Sequence, residues 1–599
     1  MPSSDDDEDF KKAIAISLQP GSLGVPQTSA STRSIVDLTS DTEDENEDDN
    51  LRRAIELSLS QVNEEHSLGE MTVKRTHVAD ASVTRISPSK LLAQSTTKGP
   101  RATDGSLKSM GFNRKVMEQE RLARLGKRKR EPSPELLSKQ KMRSPAIEAP
   151  LKASTLNVPR TAALLQYPSG TIKRTFAVKF PRTDDITIDE VLQADSLNIA
   201  VISSFMWDTE WLYKRLDPKL VKQIWLMNAR DHETQQRWIR EMKETDVPNL
   251  RIHFPPMGGM IHSMHSKFML LFGKDKLRFV VPTANMTQID WGEVGNDWQP
   301  GVMENTVFLI DLPRAADGRV TSKDKLTRFG QELVYFLEQQ KVGQNVIDGV
   351  LKFDFAQTSD IAFIHSIGGA HKLKSDSATG IPGLARAIQD LQLDNVKDIE
   401  LDYAASSVGA LNDTLLQRLI LAASGENFAT SSKITNVRDH IRVYFPTDGT
   451  VDESIGGPDC GGIISLTRQN YNAPTFPKEC LRNYDSTRRG MLSHNKLLFA
   501  RGRKKDGKLF AWVYVGSANI SESAWGGQKV LKSGQMGSLN IRNWECGVVV
   551  PVPNDRFDDS RLDAGGVPSM SVFEGTIEIP FRYPGEQYNG RQPWFFRPG

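Results

Sequence analysis

One unusual sequence unit occurs twice in the chain. Residues 265–285 are HSKFMLLFGKDKLRFVVPTAN, and residues 494–519 are HNKLLFARGRKKDGKLFAWVYVGSAN. In each, a His-x-Lys triplet precedes an apolar run, and a second apolar run ends in Ala-Asn. Alternate residues of a strand share one face, so each His and Lys should project together, and a returning strand should bring the Asn beside them. The repeat predicts two comparable halves, each carrying one copy.

The side chains of this unit suit phosphoryl transfer. Imidazole is a nucleophile and a proton shuttle near neutral pH, and Lys and Asn donate hydrogen bonds to non-bridging phosphoryl oxygens. A single His-x-Lys pair arises easily by chance, but two matching copies do not. Two facing sets would supply a nucleophile, an acid–base and four donors, with no metal ion or cofactor required. The candidate catalytic residues are His265, Lys267, Asn285, His494, Lys496 and Asn519.

The patterning around the two units predicts an α/β fold. Folded patterning begins near residues 175–180, and apolar runs at 197–207, 278–284, 306–312 and 511–517 alternate with amphipathic stretches at 324–340, 383–392 and 413–425. Such alternation is typical of strands and helices in one domain. The Gly-rich segment 449–466 is predicted to be a loop. A boundary near residue 357 gives two domains, 156–357 and 358–599.

Residues 1–155 have a different composition. Residues 1–50 hold thirteen Asp and Glu against three Lys and Arg, whereas residues 101–150 hold six against thirteen. A segment with few aromatics and such charge cannot bury enough apolar surface to offset its ordering entropy, so we expect a disordered tail. The basic cluster KRKR (127–130) predicts nuclear import, with a solvated basic loop as the alternative. We therefore expect the protein in the nucleus.

Three short segments of the tail resemble binding motifs. Residues 5–19 and 48–61 each place acidic residues before a helical face with a central Ala, and they resemble ubiquitin-interacting motifs. Residues 34–49 place Ile, Val and Leu before an acidic run, which resembles a SUMO-interacting strand. The alternatives are transient amphipathic helices and a chance string. Ubiquitin and SUMO are accordingly candidate partners.

Other broad classes are disfavoured. The three cysteines show neither metal-type spacing nor an even-numbered disulfide framework, so a reducing compartment is expected. No apolar run approaches the roughly 18 residues of a membrane span, and the acidic start is unlike a secretory signal. We expect a soluble intracellular monomer that binds no membrane.

The paired units resemble the phospholipase D superfamily, whose motif adds an Asp after four further residues. That position holds Phe272 in the first copy and Arg501 in the second. The absence fits one branch, the tyrosyl-DNA phosphodiesterase family, which keeps His, Lys and Asn but lacks the Asp. The resemblance covers roughly residues 160–599 and includes the segments 290–313, 406–411, 517–526 and 543–550.

The resemblance implies two phospholipase D-like α/β/α sandwich domains that form one active site at their interface. It implies hydrolysis of 3′-phosphotyrosyl bonds between single- or double-stranded DNA ends and a trapped topoisomerase I peptide. His265 would attack phosphorus to give a covalent phosphohistidine. His494 would protonate the leaving phenolate and then activate the water that releases a 3′-phosphate.

The resemblance also suggests supporting residues. Glu545 matches an acidic residue that orients an active-site histidine, although the sequence leaves open which one. Asn296 falls where better-known members have the corresponding Gln of the first half. His262 is expected to be a structural neighbour of His265.

Candidate DNA contacts come from the same resemblance. Ser406 and Ser407 match phosphate-gripping residues, with loop-capping hydroxyls as the alternative. Phe205 matches a groove-lining aromatic residue that would stack on a base, with core packing as the alternative. Residues 593–596 are candidates for the peptide side of the site.

Two other functions stay open at this point. A phospholipase D acting on lipid shares the chemistry but would carry the motif Asp and membrane-directed modules. A ubiquitin- or SUMO-binding scaffold with a silent catalytic region is the second alternative, against which the intact His and Lys in both copies argue.

Overall fold

We analyse a computed structural model of the chain, which describes residues 165–595 apart from 295–299, 316–319, 373–377, 427–433, 531–535, 559–560 and 564. The segments 5–19, 34–49, 48–61 and 127–130 lie outside the described residues, as does Asn296. The account below concerns the described residues.

The first half is built on an eight-stranded mixed sheet in the order β2-β1-β10-β8-β7-β3-β4-β5. The central neighbours β10, β8, β7 and β3 pair antiparallel, while β3, β4 and β5 are parallel. The strands are β1 Thr171–Thr175, β2 Asp185–Ile186, β3 Leu197–Ser203, β4 Lys222–Leu226, β5 Leu250–His253, β7 Phe268–Gly273, β8 Lys276–Pro282 and β10 Thr306–Pro313.

The second half repeats this plan. Its main sheet has the order β11-β21-β18-β17-β13-β14-β15, and a small sheet has the order β12-β20-β19. The strands are β11 Ala362–Ser366, β12 Gly369–His371, β13 Val396–Ala405, β14 Ile441–Phe445, β15 Leu481–Asn483, β17 Lys496–Lys504, β18 Leu509–Gly516, β19 Gly527–Val530, β20 Met536–Ile541 and β21 Asn543–Pro551.

Two short pairings join the halves next to the His-x-Lys triplets. β6 (Ser263–Met264) pairs parallel with β21, and β16 (Leu492–Ser493) pairs parallel with β9 (Met303–Glu304). Each triplet therefore begins beside a strand that comes from the opposite half of the chain.

Ten α-helices accompany the sheets within the described residues. They are α1 Ile188–Leu192, α2 Thr209–Arg215, α3 His232–Thr245, α4 Arg328–Gln339, α5 Gln344–Val350, α6 Ile381–Asp390, α7 Asp413–Ala423, α8 Asp448–Asp452, α9 Arg468–Asn472 and α10 Glu522–Trp525. None of the helices that the structure describes is long and apolar enough to cross a membrane.

The apolar side chains form three large clusters that give the molecule its layers. A central cluster combines residues of both main sheets with α4 and α5. The other face of the first sheet packs with α1 and α2, and that of the second sheet packs with α6 and α7. Because the sheets are covered on both faces, strands such as β7 and β17 contain continuous apolar runs. The α/β architecture predicted from the sequence is confirmed.

Local capping explains where individual helices begin. The amphipathic stretch predicted from residue 324 becomes α-helical only at Arg328, because the Thr327 side chain accepts a hydrogen bond from the Gly330 N–H. The prediction of a simple loop at 449–466 was wrong. Thr447 caps α8 by accepting from the Thr450 N–H at 3.2 Å, and residues 458–463 form a 3₁₀ helix.

Candidate active site

The first His-x-Lys triplet lies directly before β7, between the two halves. The His265 backbone N–H donates to the Trp544 carbonyl at 3.0 Å, across the β6–β21 pairing. The Lys267 ammonium donates to the His265 carbonyl at 2.8 Å. Asn285 follows β8, the antiparallel neighbour of β7. All three catalytic candidates of this half are buried.

The second triplet repeats the arrangement. The His494 N–H donates to the Glu304 carbonyl at 2.9 Å, and the Lys496 ammonium donates to the His494 carbonyl at 2.6 Å. Lys496 also reaches the Thr283 carbonyl of the first half at 3.4 Å. Asn519 follows β18 as Asn285 follows β8, and it lines one pocket together with His265. The structure therefore brings the six candidates to one interface.

Glu545 serves His265. Both carboxylate oxygens, at 3.0 and 2.9 Å, lie within hydrogen-bond distance of His265 Nδ1. Ser517 Oγ and Asn543 Nδ2 also donate to this carboxylate. When Nδ1 carries the proton, the carboxylate accepts from it and the Nε2 lone pair is the one available to a ligand. The sequence left open which histidine Glu545 contacts. In the structure, strand β21 places Glu545 beside His265.

Asp290 faces the other histidine, and sequence reasoning missed it. Its Oδ2 lies 3.3 Å from His494 Nδ1, a longer contact than that between Glu545 and His265. The Asn285 N–H donates to the same oxygen at 2.7 Å, and Asn305 Nδ2 contacts Oδ1 at 3.3 Å. Asn296, predicted for this supporting role, lies outside the described residues. The acidic residue five positions after Asn285 was the available signal.

Burial favours the neutral form of both histidines. Burial lowers the pKa of His265, and Lys267 lowers it further, against the raising effect of Glu545. Burial also lowers the pKa of His494 to about 4, with Lys496 adding to the effect and Asp290 opposing it. A neutral His265 is the form that can attack phosphorus.

The two lysines of the triplets are buried and have lowered pKa values. Burial lowers the pKa of Lys267 to about 8, although Glu545 and Asp290 raise it. Burial, together with repulsion from Lys267, lowers the pKa of Lys496 well below its usual value. An anionic ligand beside these ammonium groups would favour their charged form and raise both pKa values.

The two asparagines are oriented by their amide oxygens. Asn285 Oδ1 accepts from the Met206 N–H at 3.3 Å. Asn519 Oδ1 accepts from the Ser407 N–H at 3.1 Å and from Ser406 Oγ at 3.3 Å. With each oxygen held in this way, the NH₂ group is the part of the amide available to a ligand.

The predicted DNA contacts lie around this site. Ser406 is buried against Asn519, which gives its hydroxyl an orienting contact. Ser407 is half-buried and lines the same pocket as His265. The half-buried Phe205 ring lies 5.3 Å from the His265 ring and 5.8 Å from Lys267 Nζ. Their contact with DNA stays a prediction.

The aromatic residues Trp594 and Phe595 lie in the core of the second half. Trp594 and Phe595 are buried in the outer cluster of the second half, and Trp594 Nε1 donates to the Gly461 carbonyl at 3.1 Å. Phe595 packs against Tyr471 and under Arg468. The suggestion that residues 593–596 line the peptide side is therefore wrong for these two residues.

The positions of the missing motif Asp are structural. Phe272 packs in the central core against Phe353. The buried Arg501 pairs with Asp402 and Asp563 and donates to the Tyr583 hydroxyl at 2.6 Å. Each lies five residues beyond the lysine of its triplet, about 16 Å away along a strand. Both positions are therefore distant from the interface where the two triplets meet.

The described residues contain no group of three or more His, Cys, Asp or Glu side chains arranged to hold a metal ion. The donors that converge on the interface are nitrogen-bearing groups, which suit an anion. The arrangement can hold a phosphoryl group between two histidines.

The comparisons with known proteins agree with this geometry. A family model for tyrosyl-DNA phosphodiesterase matches residues 172–589. The chain belongs to the tyrosyl-DNA phosphodiesterase family. This confirms the resemblance to the phospholipase D superfamily branch that lacks the motif Asp. A second model, the ubiquitin interaction motif, matches residues 5–20 and 46–62, as the sequence predicted.

Curated relatives carry the same family name. The chain is 26% identical to "Tyrosyl-DNA phosphodiesterase 1" of Arabidopsis thaliana over 62% of this chain and 60% of the relative. It is 24% identical to "Probable tyrosyl-DNA phosphodiesterase" of Schizosaccharomyces pombe over 50% of this chain and 64% of the relative. The matched part of this chain thus spans less than two thirds of either relative.

Solved structures show the same fold. A crystal structure of yeast tyrosyl-DNA phosphodiesterase matches with a TM-score of 0.50 at 15% identity, covering 71% of this chain and 99% of that chain. A histidine-substituted mutant of the yeast protein gives a TM-score of 0.52 at 14% identity, covering 71% and 98%. The fold predicted for the family is confirmed.

Proposed function

We propose that this chain is a DNA-repair phosphodiesterase that hydrolyses 3′-phosphotyrosyl bonds between DNA ends and a trapped topoisomerase I peptide. The observation that carries the proposal is the pair of His-Lys-Asn sets meeting at one interface, with each histidine beside a carboxylate from the opposite half. Family membership makes the tyrosyl-DNA linkage the substrate of choice over a lipid phosphodiester.

In the first step, His265 Nε2 attacks the phosphorus and the bond to the tyrosyl oxygen breaks. His494 transfers a proton to the departing phenolate. Burial favours the neutral form of His494, but a bound phosphate offsets the field of Lys496 and so raises the pKa of His494 toward the protonated form. A phenol is a good leaving group, so this acid need contribute only about 10²-fold.

In the second step, His494 has lost its proton and acts as the base. It takes a proton from a water molecule, the water oxygen bonds to phosphorus, and the bond from phosphorus to His265 Nε2 breaks. The products are a 3′-phosphate and the free enzyme. Lys267, Lys496 and the two Asn amides donate to the non-bridging oxygens in both steps.

The test compares three substrates with the full chain. A 3′-phosphotyrosyl oligonucleotide in excess EDTA should be cleaved to tyrosine and a 3′-phosphate, and His265→Ala should abolish cleavage. A phosphatidylcholine vesicle and a 5′-phosphotyrosyl oligonucleotide serve as comparisons. Faster hydrolysis of the lipid, or retained turnover in His265→Ala, would contradict the proposal.

We also propose that the tail binds ubiquitin, a function favoured by the two motif matches. Ala13 and Ala54 take the central position, where a small side chain lets a partner approach closely. Ala13→Gln with Ala54→Gln should therefore abolish binding to ubiquitin chains. The matched control is Lys11→Gln with Arg52→Gln, two residues earlier and on the opposite side of each predicted helix.

Ubiquitin binding would tether the enzyme to a ubiquitylated adduct. Residues 63–164 separate the second motif from the described domains and can span at most about 350 Å, so both sites can engage one substrate. Tethering raises the local concentration of the second site. An oligonucleotide adduct whose peptide carries a ubiquitin chain should show a higher kcat/KM than the bare adduct; equal values would refute tethering.

Two further assignments complete the proposal. The basic cluster at 127–130 directs the chain to the nucleus, and residues 34–49 bind SUMO. A fluorescent fusion lacking residues 127–130 should lose nuclear accumulation. A peptide of residues 34–49 should bind SUMO, and replacement of its three aliphatic residues should remove the binding.

A further inference from the structure

The two catalytic histidines are held by different means. His265 Nδ1 contacts both oxygens of Glu545 at 2.9 and 3.0 Å, so its ring is fixed by a side chain. His494 Nδ1 lies 3.3 Å from one oxygen of Asp290, a longer and less well aligned contact. The orientation of this ring therefore depends more on the backbone, where the His494 N–H donates to the Glu304 carbonyl.

The backbone support of His494 is a very short pairing. β9 and β16 contribute two residues each, with Leu492 opposite Met303 and Ser493 opposite Glu304. The equivalent support of His265 is β21, a nine-residue strand paired on both sides within the main sheet. A two-residue pairing needs other contacts to stay in register.

The Glu304 side chain supplies those contacts. It is fully buried, and one oxygen forms an ion pair with the buried Arg174 of β1. The other oxygen accepts from Ser486 Oγ at 2.8 Å and from the Tyr484 hydroxyl at 3.2 Å, both of the second half. The Glu304 carboxylate thus connects β9 to residues of both halves.

The same contacts continue behind the second triplet. Asn495, between His494 and Lys496, donates from Nδ2 to the Tyr484 hydroxyl at 3.3 Å. Its Oδ1 accepts from Thr283 Oγ1, also at 3.3 Å. Burial raises the pKa of Tyr484 well above its usual value, so the hydroxyl stays protonated and can donate to Glu304.

We propose that Glu304 is a positioning residue for His494. By fixing β9 against β16, it sets the orientation in which His494 takes the proton from water. The proposal rests on the proposed two-step function, and it assigns to Glu304 a role mainly in the second step. The first step depends less on proton donation by His494, because the leaving phenol is itself acidic.

The test measures the two steps separately with the full chain. The variants are Glu304→Gln and the double variant Tyr484→Phe with Ser486→Ala, which leaves the Arg174–Glu304 pair intact. The matched control is Glu578→Gln, because Glu578 pairs with the other side of Arg174 from a half-exposed position and does not contact β9. Quenched-flow sampling on denaturing gels resolves formation and hydrolysis of the covalent DNA–enzyme adduct.

A displacement of about 1 Å can cost a catalytic group about 100-fold. We expect adduct hydrolysis to slow by about tenfold to 100-fold in both test variants, adduct to accumulate, and adduct formation to stay within about threefold of the wild type. A better leaving group, a nitrophenyl ester, should not change hydrolysis of the adduct. Glu578→Gln should behave as the wild type.

Equal slowing of both steps, an unchanged hydrolysis rate, or the same effect in Glu578→Gln would overturn the assignment of Glu304. Failure of the wild-type chain to form any adduct would instead contradict the proposed function. Melting curves of each variant show whether the folded fraction is unchanged at the assay temperature.

Discussion

Glu545→Gln tests how the nucleophile is prepared. The carboxylate accepts hydrogen bonds from three donors, His265 Nδ1, Ser517 Oγ and Asn543 Nδ2. A Gln amide offers one oxygen, so its NH₂ group must oppose at least one of these donors. The substitution also removes the negative charge that stabilises His265 as its ring becomes positive on attack.

The expected loss follows from that single contact. A hydrogen bond to a charged group contributes about 1.5–3 kcal/mol, and each 1.36 kcal/mol in the barrier is about tenfold in rate. The single-turnover rate of adduct formation should therefore fall about 10- to 150-fold. Because Glu545 raises the pKa of His265, its loss should also move the acid limb of the rate–pH profile to lower pH.

The assay is single-turnover cleavage of a 3′-phosphotyrosyl oligonucleotide from pH 4 upward, with Asn543→Ala as the control. That control removes one donor to Glu545 but keeps the charge beside His265. A loss below about threefold in Glu545→Gln, or an acid limb that moves to higher pH, would refute the role given to Glu545.

Three further predictions concern other parts of the site. Asp290→Asn should slow hydrolysis of the covalent adduct about tenfold, visible as adduct that persists on denaturing gels. Burial lowers the pKa of Lys267 to about 8, so binding of a phosphate-ended oligonucleotide at pH 8 should take up protons, as buffer-dependent calorimetry can show, and KM should rise above that pH. Arg501→Ala removes one cation from Asp402, which keeps Arg442 as a second, and from the partly exposed Asp563. It should cost about 1–3 kcal/mol in urea unfolding while leaving kcat of the folded fraction unchanged.

Much of the site could be predicted because the residues of each copy lie close together in the sequence, on two successive strands. His265 and Lys267 precede one strand and Asn285 ends the next, so a simple antiparallel hairpin brings them together. The same holds for the second copy. These are local relations, and local relations are what a sequence pattern expresses most directly.

The positions of Glu545 and Asp290 beside the two histidines depend on contacts between distant parts of the chain. A local sequence pattern does not predict such contacts. Glu545 reaches His265 because β21 lies beside β6, 280 positions away in the sequence. Asp290 was missed because it approaches His494 from a 3₁₀ turn after Asn285, at a position that holds Ala524 in the second copy. The pseudo-repeat holds for His, Lys and Asn, while the two carboxylates come from different places in the two halves.

The buried support of the site was also invisible in the sequence. Glu304 looks like an ordinary polar residue before the strand 306–313, and only the fold places it between Arg174, Tyr484 and Ser486. Arg501, by contrast, was singled out as a departure from the superfamily motif. The structure gives that departure a reason, since the residue holds a buried ion-pair cluster far from the reacting atoms.

The most direct test of the account is the identity of the residue that becomes attached to DNA. His494→Ala should form the covalent adduct but hydrolyse it slowly, so proteolysis and mass spectrometry of the trapped species should find the nucleotide on the peptide containing His265. Attachment to any other residue, or complete turnover without an adduct on His265, would contradict the mechanism.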